Sequence, residues 1–224
     1  MAVGGAAEGT VVVARKQTAG RGRFDRNWES PEGGLFMSVV LRPSAEGAML
    51  LSLVGALAVV DGIAEETRLF PVIRWPNDVL LDGKKVGGVI AEANFSGRSL
   101  SFVIVGMGVN CNFSPSSLGE LSKTSTTLRE SLKKDVDLIS LQQKTLKSFG
   151  RLHSLLTRQQ GYEIISRVRI VLSTVGKRVR YETVRGRSGS GLAEEMLDDG
   201  SLRVIERGNR RDLRPEMIRW LREG

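Results

Sequence analysis

The sequence predicts an α+β protein: a mixed, largely antiparallel sheet with helices, followed by a small C-terminal β-barrel. Three observations predict it. Three extended segments follow one another in the middle of the chain, helical patterns lie on both sides of them, and short runs separated by glycine-rich turns end the sequence. We expect a larger domain at residues 1–174 and a small one at residues 175–224.

The composition fits a globular protein, because 41% of the 224 residues are hydrophobic and 26% are charged. The single cysteine, Cys111, cannot form an internal disulfide and no leader pattern opens the chain, so we expect a reduced, cytoplasmic protein. The formal charge of +8 suits nucleic acids, nucleotides or an acidic protein, although an ordinary solvated basic surface explains it as well.

The first two strands are predicted on either side of a long loop. "TVVVA" (Thr10 to Ala14) indicates a short buried strand, and "LFMSVVLRP" a second strand that ends at Pro43. The connection between them is about twenty residues long, and loops of that length are usually functional or disordered.

A helix is predicted from about Glu46 to Glu66. Its apolar face contains Met49, Leu50, Leu53, Leu57 and Val60. The uncharged stretch "AMLLSLVGALAVV" is shorter than the roughly 20 apolar residues that span a bilayer. We therefore expect a core helix and no membrane partner.

The middle of the chain predicts an antiparallel meander, with a strong hairpin signal at Asp82-Gly83 and another turn at "SGRS". A helical region then runs from Thr126 to about Thr174, with expected N-caps at Ser125 and Asp137 and a break at Gly161. Short strands separated by "GRSGSG", "DDG" and "RGN" predict the terminal barrel.

The loop "QTAGRGRFDRNWESPEGG", residues 17–34, is called the arginine loop below. Glycines at 20 and 22 allow close backbone approach to a ligand, and Arg21, Arg23 and Arg26 can fork onto phosphate or carboxylate oxygens. Alone, "GRGR" is as consistent with a solvated loop or a nucleic-acid contact. Trp28 favours a nucleotide base as partner, unless it only pins the loop to the core.

The segment "IRWPNDVLLDGKKVGGVIAE" places polar groups at a strand junction. Across the Asp82-Gly83 turn, Asp78 and Lys85 nearly face each other. Two interpretations follow: the carboxylate and the ammonium converge on one functional site, or the two residues form only a surface ion pair. Side chains alternate along a strand, so Lys84 and Lys85 cannot both enter a pocket.

Asn110, in "VIVGMGVNCN", follows a predicted buried strand and either reads an adenine edge or only ends the strand. The one histidine, His153, lies among leucines of a helix, and we assign it neither a catalytic role nor a metal.

In order and spacing, these three segments resemble the GRGR…W, WPND…K…G and G-x-G-x-N motifs of the biotin–protein ligases. The resemblance is detailed from about Glu8 to Pro115. It implies the class II synthetase-like catalytic domain of that family and an SH3-like C-terminal barrel. It also implies a two-step reaction: biotin and Mg-ATP give biotinyl-5′-AMP, and biotin then passes to a lysine of a biotin carboxyl carrier protein.

The resemblance also implies roles for ten residues. Lys85, Arg23 and Asp78 would be catalytic, with Lys85 between the biotin carboxylate and the α-phosphate. The biotin site would comprise Gln17, Arg21, Gly22, Arg23 and Lys85, and the ATP site Arg26, Trp28, Asn77 and Asn110.

The family carries a biotin-contacting Ser/Thr-Thr-Asn-type segment upstream of the arginine loop, and the residues before Gln17 contain none. We therefore expect either an N-terminally shortened ligase or a divergent member of the family, in both cases of the type without a DNA-binding domain. A homodimer is compatible with this type. Two alternatives remain open: a non-catalytic basic module that binds RNA or an acidic protein, and, with less support, a lipoate ligase.

Overall fold

The computed structural model describes residues 4–224, apart from the side chain of Glu46. Its main sheet comprises β1 (Val11–Ala14), β2 (Leu35–Leu41), β3 (Val72–Arg74), β4 (Asp78–Leu81), β5 (Lys84–Ser96) and β6 (Ser99–Val109). The strand order is β1-β2-β6-β5-β4-β3, and all five ladders are antiparallel. The α+β class and the meander, β3 to β6, are therefore confirmed, and parallel pairing among the described residues is limited to two isolated bridges.

The first strand differs from its prediction. Val11, Val12 and Val13 are 38%, 40% and 46% exposed, so β1 is not a buried strand. It is the outermost strand of the sheet, and its apolar composition alone does not reveal that position.

The α-helices of the described residues are α1 (Ala45–Thr67), α2 (Leu128–Leu132), α3 (Leu138–Thr157) and α4 (Gly161–Val171), of which α1 has the most contacts with the main sheet. The central helix, α1, lies between strands β5 and β6 on one side and α3 on the other. It is apolar around most of its circumference, as expected for a helix covered on both sides. Met49, placed on the predicted buried face, is instead 44% exposed.

By length and composition alone, Gly47–Thr67 could cross a membrane, and it is the one such helix in the described part of the chain. The helix continues well beyond the uncharged stretch, so the argument from shortness was wrong. The packing supports a core helix, because 67% of the apolar window is buried inside the protein.

The helix boundaries follow local capping. The Asp137 carboxylate accepts hydrogen bonds from the backbone N–H groups of Ile139 and Ser140, which confirms Asp137 as an N-cap. The other predicted cap, Ser125, is wrong: α2 is capped by Thr127, whose hydroxyl accepts from the N–H of Glu130 at 3.1 Å.

The C-terminal sheet comprises β7 (Arg178–Thr183), β8 (Ser188–Met196), β9 (Leu202–Glu206), β10 (Asn209–Leu213) and β11 (Ile218–Glu223). Its order is β10-β9-β8-β7-β11, so β10 and β11 are edges and the barrel is not closed. A small C-terminal β-sheet domain is thus present. The exact division into residues 1–174 and 175–224 stays a prediction.

Candidate active site

One pocket of about 980 Å³ lies on the face of the main sheet opposite the helices. The arginine loop covers it from one side and β11 of the C-terminal sheet from another. All ten residues predicted from the sequence line it: Gln17, Arg21, Gly22, Arg23, Arg26, Trp28, Asn77, Asp78, Lys85 and Asn110. The fold therefore brings together three segments that lie far apart in the chain.

The floor of the pocket is a glycine pair. Gly88 on β5 and Gly108 on β6 are direct cross-strand partners, and the indole of Trp28 lies against both. A Cβ placed on Gly108 would come within 2.8 Å of the Trp28 ring, and one on Gly88 within 3.1 Å. The missing side chains thus create the space that Trp28 fills, as expected where glycine interrupts a strand.

Lys85 and Asp78 meet in this pocket, with 2.5 Å between Nζ and Oδ1. They are not direct cross-strand partners, because a register shift between Val79 and Leu80 places Lys85 opposite Leu80 and Asp78 opposite Gly88. The Lys85 side chain lies across Gly88, where a Cβ would come within 3.2 Å of its Cε. The bulge and the glycine therefore let the lysine reach the carboxylate.

Lys85 also faces Trp28, with its ammonium 5.1 Å from the ring centroid, a cation–π distance. Its backbone is fixed by a parallel bridge to Ser125: the N–H of Lys85 donates to the Thr124 carbonyl, and the N–H of Thr126 donates to the Lys85 carbonyl. The preceding Lys84 is exposed to solvent. Of the two lysines, Lys85 thus enters the pocket.

The second oxygen of Asp78 pairs with Arg74, at 2.6 Å from Nη2. Burial by itself raises the pKa of Asp78, but the charges and hydrogen bonds of Lys85 and Arg74 outweigh it and hold the pKa below its usual range. Asp78 is therefore ionised at neutral pH and carries the negative charge between two cations.

The arginine loop has a defined internal structure. The N–H of Trp28 donates to the Gly20 carbonyl at 3.0 Å, Arg21 and Asn27 form an isolated bridge, and the Ser30 hydroxyl donates to Gln17 Oε1 at 2.7 Å. Phe24 and Asp25 take left-handed backbone conformations at its tip. Hydrogen bonds within the loop therefore give it part of its structure.

Two loop arginines contact the C-terminal sheet region. The Arg23 guanidinium donates to the carbonyls of Pro215 and Ile218, the latter at 3.0 Å, and to Asn77 Oδ1 at 3.1 Å. Burial lowers the pKa of Arg23 to about 10, against the opposing effect of Asp78. Arg26 donates to the Arg219 carbonyl. The loop and the C-terminal sheet therefore close over the pocket together.

Arg21 has a more exposed position than its two neighbours in the motif. Its side chain is 63% exposed and pairs with Glu92 of β5 at 3.4 Å. An exposed pair at that distance contributes under about 1 kcal/mol, so its guanidinium remains accessible from the pocket rim.

Asn77, Asn110 and Trp28 place buried polar atoms in the pocket, and two of these atoms are free to bind a ligand. Asn77 donates from Nδ2 to the Val89 carbonyl at 2.6 Å, which leaves its Oδ1 to Arg23. Asn110 donates from Nδ2 to the Thr126 carbonyl, while its Oδ1 is buried without a partner among the described residues, as is Nε1 of Trp28. A buried acceptor and a buried donor without partners are costly unless a ligand satisfies them.

Sequence reasoning missed several lining residues. Arg74 precedes the Trp75-Pro76 step, whose peptide bond is cis, and adds a second cation to Asp78. Trp220 and Glu223 of β11 also line the pocket. Arg74 is adjacent to the WPND motif and was detectable from its strand alternation, whereas β11 has no local signal.

No cluster of three or more histidine, cysteine, aspartate or glutamate side chains that could hold a metal occurs within residues 4–224. His153 stacks on Phe149 in α3, with 6.3 Å between ring centroids, and does not line the pocket.

Comparison with known proteins gives a consistent result. The model of the biotin/lipoate A/B protein ligase family matches residues 2–110. The bifunctional ligase/repressor BirA of Bacillus subtilis is 41% identical over 150 residues, which cover 65% of this chain and 46% of that protein. The biotin–[acetyl-CoA-carboxylase] ligase of Mycobacterium tuberculosis is 30% identical over 202 residues, covering 87% of this chain and 73% of that protein.

Among solved structures, the biotin protein ligase of Aquifex aeolicus in complex with biotin and ATP is 28% identical, with a TM-score of 0.85 over 98% of this chain and 91% of that one. The matched region spans less than half the length of three of the curated relatives, at 46%, 46% and 45%.

Proposed function

We propose that this chain, which belongs to the biotin–protein ligases of the biotin/lipoate A/B protein ligase family, activates biotin with ATP and transfers it to a lysine of a biotin carboxyl carrier protein. The observation that carries the proposal is the pocket in which Lys85, paired with Asp78 and lying over Gly88, faces Trp28 beneath the arginine loop. The Aquifex aeolicus ligase, which has the same fold, binds biotin and ATP.

In the first step, an oxygen of the biotin carboxylate attacks the α-phosphorus of ATP and the bond to pyrophosphate breaks. Two anions must approach each other, and negative charge develops on the α-phosphoryl oxygens. Fixed cations and backbone N–H groups stabilise that charge most effectively when they are arranged before the reaction. Lys85 meets this requirement, because Asp78 and Trp28 fix its ammonium inside the pocket.

We assign the remaining roles by position in the pocket. Trp28 and Asn110, with a buried Nε1 donor and a buried Oδ1 acceptor, fit the adenine of ATP, and Asn77 supports Arg23 beside them. Arg26 binds the phosphates of ATP in place of the Arg219 carbonyl, to which its guanidinium donates in this structure. The biotin side comprises Gln17, Arg21, Gly22, Arg23 and Lys85.

In the second step, the neutral amine of an acceptor lysine attacks the acyl carbon of biotinyl-5′-AMP, the bond to AMP breaks, and the proton of the amine passes to solvent. The ionised carboxylate of Asp78 can orient the incoming amine, because it keeps a negative charge at the pocket. We propose that the acceptor lysine belongs to a biotin carboxyl carrier protein.

Several further points belong to the proposal. Mg²⁺ is proposed to enter bound to the phosphates of ATP. A cytoplasmic location is part of the same proposal. The homodimer and the absence of DNA and membrane partners stay predictions.

The test measures biotin-dependent release of pyrophosphate from ATP by the wild-type protein and by two variants of adjacent lysines. Lys85→Ala should lower kcat/KM at least about 100-fold, which corresponds to about 2.7 kcal/mol of transition-state stabilisation. Lys84→Ala, on the exposed side of the same strand, is the matched control and should stay within about twofold. Equal rates in both variants would exclude Lys85 from the chemistry, and pyrophosphate release with lipoate but not biotin would favour a lipoate ligase.

A further inference from the structure

The two oxygens of Asp78 are held by two different cations. Oδ1 lies 2.5 Å from Nζ of Lys85, and Oδ2 lies 2.6 Å from Nη2 of Arg74. All three side chains are largely covered, at 19% exposure for Asp78, 26% for Arg74 and 27% for Lys85. An ion pair with this degree of burial has a fixed geometry that a surface pair lacks.

The geometry arises from the strand pairing. Arg74 and Asp78 are direct partners in the β3–β4 ladder, and Lys85 reaches the same carboxylate from β5. The residue after Arg74 is firmly anchored: Trp75 is 1% exposed, its N–H donates to the Thr174 hydroxyl at 2.9 Å, and its indole donates to the Gly200 carbonyl at 2.9 Å. Arg74 therefore projects from a rigid hairpin.

We propose that Arg74 is a positioning residue: it fixes the rotamer and the charge of Asp78, and Asp78 in turn holds the Lys85 ammonium at the reaction centre. This inference rests on the proposed ligase function for its kinetic consequences. The effect of Arg74 on the Asp78 carboxylate can be measured without turnover.

The charged groups around Asp78 come from several elements and do not all act in the same direction. Burial disfavours the carboxylate, and Lys85 and Arg74 together outweigh that effect. Arg23 of the arginine loop also interacts with Asp78, while Glu182 and Glu223 line the same pocket from the C-terminal sheet. Without Arg74, burial is opposed mainly by Lys85, so the pKa of Asp78 should rise and Lys85 should lose its ionised partner at a higher pH than in the wild type.

The kinetic test compares pH profiles of biotin-dependent pyrophosphate release for wild type, Arg74→Gln, Arg74→Lys and Arg98→Gln. Arg98 lies in the exposed turn between β5 and β6 and serves as the control. Arg74→Gln should displace the acidic limb of kcat/KM upward by about one pH unit, so that its loss relative to the wild type reaches about tenfold low on that limb and is smaller at about pH 8. Arg74→Lys should restore most of the loss, because it keeps the charge beside Asp78.

The proposal would be overturned if kcat/KM of Arg74→Gln fell by the same factor at every pH, or did not fall. A merely structural role of Arg74 would not move the acidic limb of the pH profile. The second measurement is the carbon-13 titration of the Asp78 carboxyl by NMR, assigned with Asp78→Asn. Its midpoint should rise in Arg74→Gln and stay unchanged in Arg98→Gln.

If Arg74→Gln does not fold, the same titration in Arg74→Lys decides, because an ammonium cannot reproduce the planar fork of the guanidinium and should raise the midpoint measurably, by less than about one unit. An unchanged midpoint overturns the proposal. If the wild type releases no pyrophosphate with biotin, the proposed function fails, while the NMR titration still decides the role of Arg74.

Discussion

Trp28 lies flat against Gly108, and the indole fills the space that a side chain on Gly108 would occupy. Gly88, the cross-strand partner of Gly108, forms the other half of this surface. Two glycines on adjacent strands therefore hold the aromatic ring next to Lys85. The ring belongs to the arginine loop, so the same contact fixes the loop over the sheet.

Gly108→Ala should weaken ATP binding about tenfold, because the new methyl group would lie 2.8 Å from the ring and force Trp28 out. Isothermal titration with ATP measures the affinity, and Trp fluorescence reports the displacement. Gly150→Ala is the control, since a Cβ there meets nothing within 4 Å and α3 should gain about 1 kcal/mol in helix propensity. Unchanged ATP affinity in Gly108→Ala would contradict the role of this contact.

The arginine loop should open when its contacts with the C-terminal sheet region are removed. Arg23→Gln deletes donors to the carbonyls of Pro215 and Ile218, so hydrogen exchange in residues 17–30 should accelerate at least about fivefold. Biotin plus ATP should restore protection in the wild type more than in the variant. Arg15→Gln, exposed at the base of the loop, is the control, and equal exchange in both variants would show that these contacts do not hold the loop.

The loop shows how far sequence reasoning reaches. Local signals and the family resemblance together predicted the residues that line the pocket. Strand alternation allows only one of Lys84 and Lys85 to enter it, and the Asp82-Gly83 turn returns the chain toward Asp78. They did not predict the register shift that puts Gly88 opposite Asp78. A bulge depends on packing of both strands against α1, and no single segment encodes that.

Contacts between segments far apart in the chain could not be predicted from the sequence either. The carbonyls that receive Arg23 belong to Pro215 and Ile218, nearly two hundred residues away in the chain. Backbone carbonyls carry no sequence signature, so only the assembled fold reveals them. The exposure of Val12 in β1 has the same origin, since it depends on the order of strands in the sheet.

Thr174 should stabilise the hairpin that carries Asp78. Its buried hydroxyl accepts from the N–H of Trp75 at 2.9 Å and donates to Glu223 Oε1 at 2.8 Å, which connects β11 to the catalytic segment. Thr174→Val keeps the shape but leaves a buried N–H and a carboxylate oxygen short of partners, so the free energy of unfolding should fall by about 1–3 kcal/mol.

Chemical denaturation measures this loss. Thr157→Val, which removes an exposed hydroxyl that donates to the Ser154 carbonyl, is the control and should change the free energy of unfolding by less than about 0.5 kcal/mol. Equal effects of the two substitutions would mean that the Trp75 contact is not a significant part of the stability.

Cys111 should make stability depend on alkaline pH. Burial raises the pKa of its thiol to about 12, and the residue, two positions after the end of β6, is 0% exposed. In the unfolded chain the thiol ionises near pH 8.5. The folded pKa is the higher one, so the stabilisation is complete below about pH 8.5 and is lost as pH rises toward about 12. The wild-type free energy of unfolding should therefore fall relative to that of Cys111→Ala, by up to about 1.4 kcal/mol per pH unit.

Denaturation of both proteins at several pH values measures the difference, in which the other titrating groups cancel. A difference that stays constant from about pH 8 to about pH 10 would show that the folded thiol ionises as easily as the unfolded one.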